Sequence, residues 1–183
     1  MHQAWQMWGN VVIAAFLSVP VAVVAARLLA LRRARAGRPH PVRTALADVV
    51  AVAGTAPWIW MILTPAAGPG GVGPVPFADL RAVLQGPPQT AFVQVGGNLL
   101  VFAALGAMLP VRSARFASPA GIGAVAAVAA AASITVETLQ YALGLGRVSS
   151  VDDVIVNTAG AVLAALVTRR WWAARIPAGT VPR

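Results

Sequence analysis

The sequence predicts an all-α membrane protein, a polytopic bundle of five transmembrane helices with the N-terminus outside and the C-terminus in the cytoplasm. Of its 183 residues, 58% are hydrophobic and only 10% are charged, whereas about a quarter of the residues in a soluble domain are charged. The apolar residues also form runs of about 20 residues, the length that a helix needs to cross a bilayer. The basic residues gather at the ends of these runs, as membrane proteins mark their cytoplasmic loops.

Five apolar runs are predicted to be the transmembrane helices. The first is rich in Ala and Val, but no Arg or Lys precedes it. A signal peptide needs a positively charged segment at that place, so we expect a retained helix. The predicted spans cover residues 5–31, 45–64, 91–109, 119–141 and 151–168.

The arginines predict the orientation. All fourteen basic residues are Arg, and twelve of them lie in or just before the first connection, in the third connection or in the tail. The second and fourth connections carry only Arg81 and Arg147. This asymmetry places the second and fourth connections outside. The same placement indicates that the net charge of +9 orients the chain in a lipid bilayer and does not form a nucleic-acid-binding surface.

The second connection, residues 65–90, is dense in Gly and Pro and should be mostly irregular. Within it, Phe77, Leu80 and Leu84 recur at helical spacing. This pattern predicts a short helix on the outer membrane surface, and a disordered loop is the alternative.

Polar side chains concentrate on both sides of the fourth connection. One helical stripe on the fourth span contains Ser133, Glu137, Gln140 and Tyr141, and one on the fifth span contains Asp153, Asn157 and Gly160. Ionisable groups in membrane helices face the interior of the bundle, so we expect the two stripes to face each other in the outer leaflet. Asn98, near the outer end of the third span, should reach the same depth.

Arg147 is predicted to form an ion pair with Glu137 or Asp153, because an unpaired carboxylate at that depth would be costly. The alternative is that these groups only fix how the last three spans pack. Asp152 is expected to be a solvated acid favoured by the start of a helix. We also expect solvated side chains for the residues nearer to termini or loops, namely His2, His40, Asp48 and Asp79.

The stretches "NLLVFAALGAMLP", "ETLQ" and "GRVSSVDDVIVNTAG" resemble the VanZ-like family of bacterial membrane proteins over roughly residues 50–168. Three positions depart from the family pattern: Ala104 replaces a frequent Pro, Ser150 a frequent acid and Ala164 a frequent Gly. The matching residues are Asn98, Phe102, Gly106, Glu137, Gln140, Arg147, Asp153, Asn157 and Gly160.

The resemblance implies a multi-pass protein of the bacterial cell membrane. It divides the chain into an N-terminal helix with an Arg-rich cytoplasmic loop (1–44), a VanZ-like four-helix transmembrane domain (45–168) and a cytoplasmic basic tail (169–183). The founding member of the family is associated with resistance to the glycopeptide teicoplanin, so the resemblance also implies a link to antibiotic resistance.

Two functions remain open. In the first, an outer-leaflet polar pocket binds or handles a lipid-linked or other amphiphilic envelope molecule, or a glycopeptide. Arginine beside carboxylates and amides suits phosphate and sugar hydroxyls. The expected ligand-binding residues are Asn98, Glu137, Gln140, Arg147, Asp153 and Asn157. In the second function, which we favour less, the protein is an intramembrane enzyme that acts on such a lipid, with Glu137 or Asp153 as the general base.

Other chemistries are disfavoured. The chain has no Cys, which excludes disulfides and thiolate metal sites. A metal bound by Glu137, Asp152 and Asp153 would have fewer ligands than oxygen-only sites usually provide, so no metal and no cofactor is expected. A single polar cluster on one side gives no path through the bilayer, which argues against a channel or a proton-coupled carrier.

Overall fold

The computed structural model describes the backbone of residues 2–173 and all side chains within it except those of residues 2–8, 10–12 and 15. Arg175, Arg183 and the side chain of His2, for which predictions were made, lie outside what is described. This part of the chain is 78% helical. Its α-helices are α1 (His2–Arg35), α2 (Pro41–Ile62), α3 (Ala78–Gln85), α4 (Pro88–Val101), α5 (Ala103–Arg112), α6 (Pro119–Ala142) and α7 (Val151–Val167).

The prediction of a mostly helical chain is confirmed. Within residues 2–173, three helical segments are long and apolar enough to cross a bilayer: Pro41–Ile62, Pro88–Arg112 and Pro119–Ala142. Each of the five apolar runs in the sequence is helical. Helices dominate because a backbone in lipid must satisfy its N–H and C=O groups within its own segment. The predicted short helix of the second connection is also present, as α3.

The third apolar run is interrupted at Phe102, where the backbone leaves helical geometry between α4 and α5 (φ −110°, ψ 12°). The side chain of Phe102 is buried, and it packs in the core with Val101, Val136 and Ala161. The break therefore occurs without a proline at position 104, and the ring of Phe102 anchors the turn in the bundle.

Helix α7 lies against α4, α5 and α6, and glycines allow the close approach. A Cβ atom at Gly160 would collide with the backbone of Leu99 in α4. A Cβ atom at Gly106 of α5 would collide with the backbone of Ala161 in α7. Small residues of this kind let membrane helices gain van der Waals contact between their backbones.

The second and fourth connections meet at one end of the bundle. Two short strands, β1 (Gly71–Gly73) and β2 (Val148–Ser150), pair in parallel, with Gly71 opposite Val148. The backbone amide of Ala66 also donates to the carbonyl of Leu145 at 2.8 Å. These hydrogen bonds hold the two connections together on the same side of the bundle.

At the opposite end, Asp48 of α2 bridges two arginines. Its carboxylate forms ion pairs with Arg33 of α1 and, at 2.8 Å, with Arg112 of α5. The prediction of a solvated Asp48 is therefore wrong. The reason is geometric, because the ends of α1 and α5 bring two guanidinium groups to the first turns of α2. His40 is exposed, as expected.

Candidate functional site

A cavity of about 640 Å³ lies between α2, α3, α4, α6 and α7, at the end where the two connections pair. It has the size of a small-molecule site, which typically measures about 300–1,000 Å³. All six residues predicted to bind a ligand line it, namely Asn98, Glu137, Gln140, Arg147, Asp153 and Asn157. The structure thus brings the predicted residues together, while their binding role stays a prediction.

Glu137 stands on the last turns of α6 and is 8% exposed. Its Oε2 atom accepts a hydrogen bond of 3.0 Å from the backbone amide of Ser150, and its carbonyl accepts one of 2.8 Å from the Ser149 hydroxyl. Glu137 is therefore held from two directions by the strand that precedes α7.

Asp153 is held by the neighbouring helix, because the side-chain amide of Asn98 donates to its Oδ1 atom. This bond joins α4 to the first turn of α7. Among the described residues, the second oxygen of Asp153 takes part in no hydrogen bond, and neither does the Oε1 atom of Glu137. Each acid therefore has one carboxylate oxygen without a hydrogen-bond partner among the described residues.

The predicted ion pair of Arg147 with Glu137 or Asp153 is wrong. Its Nε atom donates to the carbonyl of Thr64 at 3.3 Å, and its Nη2 atom donates to the carbonyl of Met61 at 3.4 Å. The last carbonyls of a helix have no partner within the helix, and the negative end of its dipole attracts a cation. The C-terminus of α2 therefore competes with the acids for the guanidinium group.

Gln140 also binds the C-terminal end of α2, since its side-chain amide donates to the carbonyl of Ile62 at 3.1 Å. The residue is 5% exposed. Of the four residues in the polar stripe of α6, only Tyr141 is exposed, at 62%, so the helical phase placed the others correctly.

Asp152 was predicted to be solvated, and this is wrong. It is 3% exposed, and its two oxygens accept from the backbone amides of Phe77 and, at 2.8 Å, Leu80. Phe77 has a left-handed backbone (φ 63°) and gives no side-chain cap to α3. Asp152 supplies that cap from α7, which satisfies amides that the start of a helix otherwise leaves free.

Asp79 was also expected to be solvated, but it lines the cavity and accepts from the hydroxyl of Ser150 at 2.6 Å. The same hydroxyl accepts from the backbone amide of Asp152 at 3.1 Å and so caps α7. The sequence held a signal for this role, because a Ser directly before an apolar run is typical of a helix N-cap. The contact with Asp79 had no local signal.

Asn157 carries an unsatisfied polar atom. The residue is 3% exposed and its Nδ2 atom is 2.8 Å from the hydroxyl of Ser133. Its Oδ1 atom is buried and has no partner among the described residues. A buried acceptor without a hydrogen bond is costly, which is why such an atom in a cavity indicates a bound molecule or water.

The cavity carries an excess of negative charge. Four carboxylates line it, against the single guanidinium group of Arg147, whose Nε and Nη2 atoms are occupied by carbonyls. The acids are Asp79, Glu137, Asp152 and Asp153. Within residues 2–173, no three His, Cys, Asp or Glu side chains are grouped so that they could hold a metal ion.

A family model described as VanZ/LLP1 matches residues 52–173, about two thirds of the chain. The chain belongs to the VanZ/LLP1 family. The match begins inside α2 and continues past α7, so it includes every helix that contributes to the cavity. No curated protein and no solved structure matches the chain.

Proposed function

We propose that this VanZ/LLP1 family member binds the polar head group of a lipid-linked or other amphiphilic envelope molecule in the cavity. The observation that carries the proposal is the buried, unpartnered Oδ1 atom of Asn157, a residue that lines the cavity together with Glu137 and Asp153. These three residues line one cavity, and no described residue donates a hydrogen bond to the Oδ1 atom of Asn157.

The negative charge of the cavity favours a head group that carries hydrogen-bond donors over one that carries phosphate. Phosphate would meet four carboxylates, and like charges at close range repel each other. Hydroxyl and ammonium groups are donors and would satisfy the free oxygens. A sugar or amino-sugar head group therefore fits better than the phosphate that the sequence suggested for Arg147.

The proposal includes five spans, with the N-terminus outside and the C-terminus in the cytoplasm. The cavity lies at the end of the bundle where the second and fourth connections pair. The arginines of the first and third connections gather at the other end. Helix α7 has 17 residues, close to the lower limit for crossing a bilayer. On this orientation the cavity opens to the outer leaflet of the bacterial cell membrane, and residues 45–168 form the ligand-binding domain.

An intramembrane enzyme is the second candidate function. The observation in its favour is that Glu137 and Asp153 both line the cavity and each use only one carboxylate oxygen in hydrogen bonds with described residues. A general base needs such an oxygen within hydrogen-bond reach of the substrate. Glu137→Gln separates the two functions, because it keeps the shape of the side chain but removes the base. An enzyme then loses product formation, whereas a binding protein retains most of its affinity.

The binding function is tested by photolabelling of the purified full-length protein in lipid nanodiscs. The probes share one alkyl chain with a diazirine and differ only in the head group, which is glucose, glucosamine, phosphate or phosphocholine. We expect the two sugar probes to label peptides of α4 and α7, and the other two to label them weakly. Asn157→Leu should reduce sugar-probe labelling about tenfold, because one hydrogen-bond acceptor in the cavity is lost.

Arg81→Gln is the matched control, because Arg81 lies on α3, is exposed and does not line the cavity. It should leave the labelling unchanged. Equal labelling by all four probes, or full sugar labelling of Asn157→Leu, would contradict the proposal. The link to glycopeptide resistance is tested separately, by the teicoplanin concentration that inhibits cells carrying the wild type or Asn157→Leu.

A further inference from the structure

A second cavity, of about 680 Å³, lies at the opposite end of the bundle from the first. It is bounded by the end of α1, the turn before α2, the start of α2 and the end of α5. Five arginines line it: Arg32, Arg33, Arg38, Arg43 and Arg112.

The charge of this cavity is not balanced by the described part of the protein. Within residues 2–173, Asp48 is the only acid that forms ion pairs with the arginines of this cavity. Its partners are Arg33 and Arg112. Over the same residues, four of the five positive charges of this cavity therefore remain uncompensated. Positive charges at this density repel one another and attract anions.

Unpaired donors point to the same conclusion. The Nη1 atom of Arg33 and the Nε and Nη1 atoms of Arg43 are buried without a hydrogen-bond partner among the described residues. Buried donors without an acceptor are costly, and most buried polar groups have a partner. Helix α2 also begins here without a side-chain cap, after His40 in a left-handed conformation. Its first amides and the positive end of its dipole add to the attraction for an anion.

We propose that this basic cavity binds the phosphate group of an anionic membrane lipid. Guanidinium groups form strong charge-assisted hydrogen bonds with phosphate oxygens, and the unpartnered Nε and Nη1 atoms of Arg43 are donors for such bonds. The cavity lies where the ends of α1, α2 and α5 meet, and basic pockets between helix ends on the cytoplasmic side bind lipid head groups. The site is independent of the outer-leaflet cavity, because it uses other residues at the other end.

The experiment is native mass spectrometry of the purified full-length protein, titrated with cardiolipin, phosphatidylglycerol or phosphatidylcholine of matched chain length. Cardiolipin, with two phosphates, should bind most tightly, and zwitterionic phosphatidylcholine should bind at least tenfold more weakly. Arg43→Gln should lower the affinity for cardiolipin about tenfold. Arg43→Lys should lower it less, because lysine keeps the charge and loses only the planar guanidinium donors.

Arg35→Gln is the control for charge alone. Arg35 lies at the same end of α1 and is exposed, but it does not line the cavity. Its replacement should change the affinity less than twofold. Equal losses for Arg35→Gln and Arg43→Gln would overturn the proposal, as would binding that does not distinguish cardiolipin from phosphatidylcholine.

A second measurement distinguishes a site for a lipid phosphate from a site for free inorganic phosphate. Inorganic phosphate is added to the lipid-free protein in detergent, and the unfolding temperature is measured. A lipid site should respond to phosphate much less than to cardiolipin at equal concentration. An equal response, again lost in Arg43→Gln, would overturn the assignment to a lipid and identify a soluble anion.

Discussion

Asp152, in the first turn of α7, accepts a hydrogen bond of 2.8 Å from the backbone amide of Leu80 in α3. The two residues are 72 positions apart in the sequence. Helix α3 has only eight residues, and none of them is buried, so it has little packing of its own. The carboxylate of Asp152 therefore fixes α3 as a wall of the cavity that Glu137 and Asp153 also line.

Replacing Asp152 by Ala should loosen α3. The amides of Phe77 and Leu80 would lose their acceptor, which for a helix cap costs about 0.5–2 kcal/mol. Hydrogen exchange followed by mass spectrometry should show faster exchange in residues 77–85, with little change in α6. Asp152→Asn, which retains one side-chain oxygen, should have a smaller effect. Unchanged exchange in Asp152→Ala would show that the cap does not hold α3.

Replacing Gly160 by Ala should destabilise the bundle. The new methyl group would overlap the backbone of Leu99, which is part of a helix and cannot move freely. Overpacking of this kind costs about 1–3 kcal/mol. Denaturation by sodium dodecyl sulfate in mixed micelles measures the free energy of unfolding. Gly123→Ala is the control, because a Cβ atom there meets open space, and it should be neutral or slightly stabilising.

Arg147 and Glu137 should contribute to stability almost independently. Arg147 binds the carbonyls of α2 and not the carboxylate of Glu137, although both line the same cavity. A double-mutant cycle of Arg147→Gln and Glu137→Gln should therefore give an interaction energy below about 0.5 kcal/mol. An interaction energy well above about 1 kcal/mol would instead support the direct ion pair that the sequence predicted.

Cysteine labelling should confirm the orientation, because the chain contains no Cys of its own. In intact cells, an impermeant maleimide should label Pro69→Cys in the second connection. It should label Arg38→Cys in the first connection only after the membrane is permeabilised. The reverse pattern would contradict the placement of the outer-leaflet cavity.

The helices could be predicted from the sequence because the bilayer imposes their length and their internal hydrogen bonding. The break at Phe102 could not, because the expected local cause, a proline at position 104, is absent, and the ring of Phe102 is held by side chains from distant helices. The pairing of β1 with β2 was also missed. It depends on two Gly-containing connections that lie far apart in the sequence.

The residues of the candidate site could likewise be predicted from the sequence only in part. Glu137 and Asn157 could be placed on inward faces by helical phase alone, and the structure agrees. Asp79 and Asp152 could not, because their partners are a hydroxyl and backbone amides in other elements. Arg147 was assigned to the wrong partner because charge counting ignores backbone carbonyls. These are acceptors that the sequence does not display as charges.

The most direct test of the binding cavity is a cryo-electron microscopy structure of the wild type in nanodiscs made from bacterial envelope lipids. A polar head group should appear with a hydroxyl or amine about 3 Å from the Oδ1 atom of Asn157, within reach of Glu137 and Asp153. Its chain should extend between the helices. A cavity that holds only water, or a phosphate beside these acids, would contradict the account.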